Sequence, residues 1–412
     1  MRRRPLQGCP LGRCLIFGLV GSLGMVGGGW AQTVPRHPLD RDLAAVREQY
    51  RRLGPLAWRP TLGLLIGADS NPFPGIGVER AWDTYVSGVP GLGLAMGLGR
   101  FLLLAIQGTV GYRYSFRYPA LRGLVYMVSA RGAIRLGPSK LEGRLQWGQG
   151  IYPYTPEADV PVQVRDRTLT VLWEMPLFRR MALGATAAWS TVRIRASEAT
   201  VAGYLQDLLD RRERSLAAYL AWERSSRTTL LLEARRGFID FEADPWRNTK
   251  AYEVVLAWRY RVTSFAGASV RAGYRLWVPE DPRVPRFRGW VGSLQADLAL
   301  GRRWWLLASG ERRPEWSVYF SRGGRPYFVY THAGGGLGFT LFRGVRSRAT
   351  YERYWLEYPG EGGVLDRGRS WQGGFDVRVR NQVVGLTVGY WVRDRNLPLT
   401  ADRRWTVTIG VR

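Results

Sequence analysis

From about Pro60 to the end of the chain, apolar and polar residues alternate in segments of roughly ten residues. The last three segments, Trp371–Arg380, Val384–Arg393 and Arg404–Arg412, show the pattern best. Aliphatic and aromatic residues occupy one set of alternate positions, and glycine, threonine and arginine dominate the other. Successive side chains of a strand point to opposite faces. Each segment therefore predicts a strand with one apolar and one polar face, as a bilayer-spanning barrel requires.

The connections between the segments alternate between short and long. Gly99-Arg100 and Gly301-Arg302 are typical short ones, whereas 69–80 and 198–213 are typical long ones. Outer-membrane barrels have short periplasmic turns and longer outer loops, and a soluble sandwich has no reason to keep this order. The sequence thus predicts an all-β fold, a transmembrane antiparallel outer-membrane β-barrel of about 18 strands (about 16 to 18), with both chain ends on the periplasmic side.

Two places interrupt the alternation. Pro90-Gly91 falls inside the second segment and predicts a bulge or a bend. The run from Thr191 to Arg195 changes face relative to Met181 and Leu183, which predicts a β-bulge.

The first residues predict a cleavable signal peptide over 1–31. A positive start, Arg2 to Arg4, precedes the apolar run Cys14 to Gly28, and Gly29-Trp30-Ala31 fits the small-x-small cleavage rule. Gln32 then begins the mature chain. Both cysteines lie inside the signal, so disulfides and Cys-ligated metals are excluded from the mature protein.

The segment 32–58 is polar and predicts a periplasmic leader before the barrel of 59–412. Asp40 is a candidate N-cap, and Leu43, Val46, Tyr50 and Leu53 recur at helical spacing. We expect a short N-terminal periplasmic helix here. A loosely ordered leader is the alternative.

The chain is strongly basic, with a formal charge of +27 from 60 Lys+Arg and 33 Asp+Glu. Nearly all of the cations are arginine. One interpretation is a codon preference for arginine, and another is a positive interior or rim that attracts anions. Both stay open. The usual nucleic-acid-binding motifs are not present, so no nucleic-acid partner is expected.

Arginines on the polar faces are the best candidates for a functional site. A guanidinium binds carboxylate, sulfate or phosphate through two hydrogen bonds, and a narrow watery channel with such groups favours anions. The alternative is that these arginines pair with lumen carboxylates such as Glu253, Glu352 and Asp376, although acids are too few to pair with all of them. By alternation the candidate lumen residues are Arg259, Arg261, Arg271, Arg275, Arg346, Arg348, Arg378 and Arg380, which Arg113, Arg131 and Arg135 can join.

Catalytic, cofactor and metal sites are not expected. His37 and His332 are the only histidines, and a general base at His332 would need a nucleophile that the sequence does not reveal. Gly334 to Gly338 is glycine-rich but lies within a strand segment, where glycines make room for neighbours rather than bind phosphate. The acidic loops 279–282 and 357–361 lack the ligand spacing of a cation site.

Several local sequences resemble the β-barrel porin family associated with bacterial exopolysaccharide biosynthesis. The resemblance covers most of the chain after Pro60. The sequences that carry it are Gly67-Ala-Asp-Ser-Asn71, Leu209-Asp-Arg-Arg-Glu-Arg-Ser215, Arg224-Ser-Ser-Arg-Thr228, Arg236-Gly-Phe238, Tyr252, Trp258-Arg-Tyr-Arg261, Ala272-Gly-Tyr-Arg275 and Arg404-Trp-Thr-Val-Thr-Ile-Gly-Val-Arg412. One departure is the terminal Arg412, because outer-membrane barrels often end in an aromatic residue.

The resemblance implies an outer-membrane channel that exports or secretes a polysaccharide. Together with the arginine rows, it leads us to expect passive export of an anionic exopolysaccharide, without catalysis. Its partners would be outer-membrane lipids, the polysaccharide or small anions, and periplasmic secretion components. One alternative is a general or anion-selective diffusion porin, and another is a scaffold barrel whose helix from Asp40 to Leu53 docks a periplasmic partner. A barrel hydrolase that uses His332 is the last alternative.

Overall fold

The computed structural model of the chain describes residues 51–53, 56–72, 81–98, 101–178, 180–195, 208–225, 227–263, 266–301, 303–318, 326–342, 344–359, 364–379, 382–394 and 403–411. The strands are β1 Arg51–Leu53, β2 Leu56–Asp69, β3 Asp83–Leu98, β4 Leu102–Ser115, β5 Gly123–Leu136, β6 Ser139–Thr155, β7 Ala158–Phe178, β8 Met181–Arg195, β9 Arg211–Ser225, β10 Thr228–Phe241, β11 Thr249–Thr263, β12 Ala266–Pro279, β13 Phe287–Leu300, β14 Trp304–Trp316, β15 Tyr327–Phe342, β16 Val345–Tyr358, β17 Val364–Val379, β18 Gln382–Arg393 and β19 Arg403–Val411. Short 3₁₀ turns lie at Pro119–Leu121 and Pro245–Arg247. No helix in these ranges is long and apolar enough to cross a membrane.

The strands β2 to β19 form a closed antiparallel barrel of 18 strands. Each strand pairs with the next along the chain, and β19 returns to β2 with Val411 opposite Leu64 and Thr406 opposite Asp69. Closure leaves no free sheet edge in the membrane, where unpaired backbone groups would cost several kcal/mol each. The prediction of an antiparallel barrel with about 18 strands is therefore confirmed.

The short strand β1 changes the predicted start of the barrel. Arg51 pairs with Trp58 and Leu53 with Leu56, so the chain reverses directly into β2. Because β19 reaches only Leu64, β1 pairs with part of the β2 edge that β19 leaves open. The predicted helix is therefore wrong at its last residues, and the barrel begins at Leu56 rather than Arg59. The signal peptide and the rest of the leader lie outside the described residues.

Exposure separates an outer from an inner face as the alternation predicts. On β2, the side chains of Leu62, Leu64 and Ile66 are 70%, 44% and 44% exposed on the outside. Their alternate neighbours face the lumen, and so do Thr406 and Thr408 of β19. An outer surface that is apolar across the middle of the wall is what lipid contact requires.

Glycines occupy two kinds of position in the wall. Gly137, Gly301 and Gly344 lie in short turns with φ of 58°, 69° and 91°, a conformation that other residues rarely adopt. At four other positions, a large inward aromatic side chain packs directly over a glycine of an adjacent strand. Trp305 covers Gly338 in this way, and the other pairs are Tyr85 with Gly67, Tyr219 with Gly184 and Tyr354 with Gly368. The interpretation of the Gly334–Gly338 run as wall glycines agrees with this packing.

The two interruptions have different outcomes. Around Pro90 the pairing of β3 with β4 breaks between Gly88 and Gly91 but resumes in the same register, so this is a bend without an inserted residue. At Thr191 the predicted bulge is wrong, since β8 keeps its register with β7 and β9 throughout this stretch. Val192 and Ile194 face inward by the ordinary alternation of β8. They can be apolar there because loop residues that fill the lumen bury them.

Candidate functional site in the barrel lumen

The upper part of β6 and β7 leaves the barrel wall. Pairing of β6 with β5 stops at Gln149, and pairing of β7 with β8 stops at Gln163. The two strands nevertheless continue to pair with each other as far as Thr155 and Ala158. Residues 150–162 are thus a hairpin that the wall does not hold, and we name it the first inner hairpin.

A second hairpin leaves the wall between β14 and β15. Pairing of β14 with β13 ends at Arg312, whereas β14 and β15 stay paired up to Trp316 and Tyr327. Trp316 stacks on Trp277, an inward residue of β12, with ring centroids 4.9 Å apart and planes at 13°. Residues 313–318 and 326–328 therefore lie against the inner wall, and we name them the second inner hairpin.

The two inner hairpins meet inside the barrel. Ser317 Oγ donates a hydrogen bond to Glu157 Oε1 at 2.8 Å, and the Val318 backbone N–H donates to Glu157 Oε2 at 2.6 Å. All three residues are fully buried. The strands of the first hairpin, β6 and β7, lie eight positions round the 18-strand barrel from those of the second, β14 and β15. This contact, with its neighbours, therefore bridges the lumen from one wall toward the opposite wall.

Arg393, at the end of β18, anchors the first inner hairpin to that opposite wall. Its guanidinium donates hydrogen bonds to the backbone carbonyls of Pro156 and Glu157. It also forms an ion pair with Asp366 of β17 at 3.1 Å, and both side chains are almost fully buried. A buried arginine needs such partners, because an unpaired buried charge is strongly destabilising.

Arg247 ties a third loop to the same region. It lies between β10 and β11 with no exposed surface, and donates to the carbonyls of Leu208 at 2.6 Å and Ser317 at 3.0 Å. Its guanidinium also lies 4.4 Å from the ring centroid of Phe241 and 5.1 Å from that of Trp316. One side chain thus connects loops of three different strand pairs, which gives the region between the inner hairpins a fixed packing.

An apolar cluster supports the first inner hairpin from the side of β8. It joins hairpin and β7 residues with inward β8 residues, the β8–β9 loop and the second inner hairpin. Its members are Val160, Val162, Val164, Val192, Ile194, Leu208, Leu209 and Val318. The sequence pattern does not reveal this cluster, because inward apolar residues look like a change of face when the lumen is assumed to hold only water.

Most inward charges are paired within the wall. Glu142 accepts from Arg131 at 2.8 Å and is also in contact with Lys140 and Arg144. Around the barrel, over the described strands, inward positions carry nearly as many acids as cations. The positive surplus of the chain is thus not concentrated on the inner face.

The predicted lumen arginines divide into two groups. Arg271 and Arg275 face inward and belong to ion pairs, Arg275 with Glu253 at 2.6 Å and Arg271 with Glu233 at 3.6 Å. These two agree with the alternative that lumen arginines pair with acids. Arg259, Arg346, Arg348 and Arg378 also face inward, and the last two of the eight, Arg261 and Arg380, fall outside the described side chains.

Exposure distinguishes the inward cations from the inward acids. Arg59, Arg135, Arg346 and Arg378 point inward near the strand ends on the side of the short turns, which the sequence predicts to be periplasmic, and are exposed. Each inward acid on the described strands is buried or only half exposed. The charges that water and solutes meet most directly in the described lumen are therefore arginines. Arg135 is one of the arginines that the sequence offered for the lumen, whereas Arg59 was not singled out because it lies at the very start of the alternating region.

The residues considered for chemistry have ordinary surroundings. His332 faces inward opposite Glu311, with its ring 5.7 Å from that of Tyr330. Asp281 in the acidic loop binds Arg283 at 2.6 Å. Among the described residues no group of three His, Cys, Asp or Glu is placed to hold a metal ion.

The fold is shared with solved outer-membrane channel proteins. No family model matches the chain, and no curated protein is similar to it. Pseudomonas aeruginosa OccK1 (OpdK) is similar in structure with a TM-score of 0.51 at 11% identity, covering 86% of this chain and 98% of that chain. Acinetobacter baumannii OccAB3 has a TM-score of 0.51 at 8% identity, with 86% and 99% covered.

P. aeruginosa OccK9 (OpdG) has a TM-score of 0.51 at 11% identity, with 86% and 97% covered. These proteins are outer-membrane channels rather than enzymes, and nothing in the comparisons concerns exopolysaccharide. At such low identity the likeness establishes the fold alone: this chain has the closed antiparallel barrel of outer-membrane channel proteins.

Proposed function

We propose that the protein is an outer-membrane diffusion channel that favours small anions and that the inner hairpins limit the size of what passes. This is the diffusion-porin alternative of the sequence analysis. The observation that carries it is the contrast in exposure inside the lumen, where arginines are exposed and acids are buried or half-buried. The fold shared with outer-membrane channels supports the location.

The mechanism needs no chemical step. Arg346 and Arg378 lie on neighbouring strands β16 and β17, with Arg59 and Arg135 further round the same periplasmic mouth. Exposed guanidinium groups raise the local concentration of anions and bind carboxylates in a forked geometry. Because the Debye length is about 10 Å at 0.1 M salt, this preference should weaken at high ionic strength.

Reversal potentials of the refolded full chain in a planar bilayer under a salt gradient test this proposal. We expect the sign of an anion-selective channel, and a shift toward cations in the double variant Arg346→Glu with Arg378→Glu. Arg224→Glu is a matched control, since Arg224 is exposed on the outer face near the same end of the barrel. A cation-selective wild type, or a double variant that behaves as the control does, would refute anion selectivity.

Export of an anionic exopolysaccharide, which the family resemblance and the arginine rows together led us to expect, stays a prediction. The inner hairpins meet in the middle of the upper lumen, so a polymer needs them to separate. Conductance with and without an acidic oligosaccharide distinguishes the two uses. Brief blocks from the periplasmic side alone fit a solute channel, whereas translocation across the bilayer would favour export. Docking of a partner by the leader concerns residues largely outside the described chain.

A further inference from the structure

The outer face of the barrel carries a dense group of arginines at its extracellular end. Three consecutive strands, β7, β8 and β9, each place two of them at outward positions. We name this group the outer arginine patch; it consists of Arg165, Arg167, Arg193, Arg195, Arg212 and Arg214. Arg165 lies directly opposite Arg193, and Thr191 lies opposite both Arg167 and Arg212, so the patch is continuous across the three strands.

The patch lies where the lipid-facing band ends. Toward the middle of the membrane, Leu169 on β7 and Leu216 on β9 are the next outward residues, 42% and 61% exposed on the outer surface. On β8, Thr191 is followed by Trp189, which is 45% exposed. Aromatic and aliphatic residues at this height contact acyl chains and the interface. The arginines just beyond them are therefore at the level of lipid headgroups.

Few acids neutralise the patch. Glu242 is shared by Arg193 at 3.2 Å and Arg212 at 2.9 Å, and Asp240 pairs with Arg214. These arginine side chains remain 53%, 61% and 59% exposed. Exposed ion pairs of this kind contribute little, so an incoming anion can replace or share them.

The charge is also one-sided across the membrane. On the described strands, Asp240 and Glu357 are the acids at outward positions, while outward cations recur around the extracellular end. At the periplasmic end the outward cation on these strands is Arg224. Because inward charges are largely balanced, the basic surplus of the described strands is on the outer face, mainly at one end of the barrel.

We propose that the outer arginine patch binds the phosphate groups of a lipid in the outer leaflet, and that this lipid carries more than one phosphate. Neighbouring strands lie about 4.8 Å apart, so arginines on three strands spread over about 10 Å. A single phosphate engages one or two guanidinium groups, whereas a lipid with several phosphates on a broad acylated base matches the whole patch. The patch lies on the other side of the wall from the lumen, so this binding is independent of what the lumen conducts.

Thermal unfolding of the full chain in mixed micelles tests the proposal. The probes are diphosphoryl lipid A, the same lipid with its phosphates removed, and phosphatidylglycerol at equal phosphate concentration. Binding to the folded barrel alone raises its melting temperature. We expect a rise with diphosphoryl lipid A that is clearly larger than with either other lipid.

Substitution locates the effect. The quadruple variant Arg193→Gln, Arg195→Gln, Arg212→Gln and Arg214→Gln should lose most of the rise, and the pair Arg212→Gln with Arg214→Gln part of it if the quadruple does not fold. The matched control replaces four exposed arginines away from the patch by Gln, namely Arg224, Arg227, Arg283 and Arg286. An equal rise with the dephosphorylated lipid or phosphatidylglycerol, or a rise that the patch variants keep, would overturn the proposal.

Discussion

Ser317 and Glu157, 160 residues apart in the chain, are joined by a hydrogen bond of 2.8 Å inside the barrel. The bond connects the tips of two hairpins that leave opposite parts of the wall. The adjacent Val318 N–H donates to the second carboxylate oxygen, so both oxygens of Glu157 have partners. This contact holds the two hairpins together inside the lumen, and we therefore expect it to limit how much of the barrel cross-section stays open.

Removal of this contact should widen the channel. In Glu157→Ala both hydrogen bonds are lost, and the buried donors of Ser317 and Val318 are left unpaired at a cost of about 1–3 kcal/mol each. We expect a larger single-channel conductance with more frequent fluctuations. Glu280→Ala, an exposed loop acid, serves as the control. Identical conductance in both variants would show that the hairpins do not limit the current.

The same carboxyl predicts a dependence on pH. Burial raises the pKa of Glu157 from its ordinary 4.5 to about 7. The bridged fold therefore binds a proton more tightly than the open chain does, so its stability is greatest below pH 4.5 and declines as pH rises through about 7. The charge of Arg393 acts in the other direction and lowers the pKa of Glu157, but burial is the larger effect. Arg393 also forms an ion pair with Asp366.

Single-channel recording between acid and mildly alkaline pH measures this dependence. We expect the conductance and its fluctuations to increase as pH rises through 7, and Glu157→Gln, which does not titrate, to flatten the profile. A profile that persists unchanged in Glu157→Gln would assign the pH response to another group.

Replacing Arg247 even by lysine should lower the stability of the loops that it connects. Its planar guanidinium donates to two carbonyls in different loops, and a single ammonium group on a flexible chain does not reproduce that fork. We expect Arg247→Lys to lose about 1–3 kcal/mol of loop stability. Faster cleavage of the extracellular loops by added protease would report it. Arg227→Lys, in an exposed turn, is the comparison, and equal cleavage rates would contradict the role given to Arg247.

Adding a side chain to a glycine that lies under an aromatic ring should lower the stability of the barrel. A Cβ on Gly338 would overlap the ring of Trp305, so Gly338→Ala must displace that ring or shift the strand. Overpacking of this kind costs about 1–3 kcal/mol. Gly373 is the matched control, because an added Cβ there meets nothing within 4 Å. Urea unfolding of the two alanine variants measures the difference, and equal midpoints would argue against ring packing as the reason for this glycine.

Local pattern was enough to identify the barrel, but not what fills it. The alternation in segments such as Trp371–Arg380 depends only on the two-residue period of a strand, and it correctly separated outward from inward positions. The same rule failed at Thr191–Arg195, where inward Val192 and Ile194 were taken as a shift of face. Their burial comes from Leu208, Val160 and other residues distant in sequence.

The predicted arginine site shows the same division. Alternation placed Arg271, Arg275, Arg346 and Arg378 on the inner face, yet their surroundings differ. Arg275 faces Glu253 across a strand pair and forms an ion pair with it. Arg346 also lies opposite an acid, Asp376, but it is exposed near the mouth of the barrel, as is Arg378. The partner and the exposure of a lumen arginine depend on neighbouring strands and on depth in the barrel, which composition and spacing within one strand do not contain.

The sequence by itself determined the closed antiparallel barrel and its number of strands to within about two. It also determined the alternation of short and long connections and the inward or outward face of most strand residues. These follow from local geometry, since a strand in lipid must alternate and its backbone must be fully paired. Only the tertiary structure decided that two hairpins fold inward and meet at Glu157 and Ser317, that the inner charges largely cancel, and that the arginine surplus lies on the outer face. Those features arise from contacts between residues far apart in the chain, for which no local period exists.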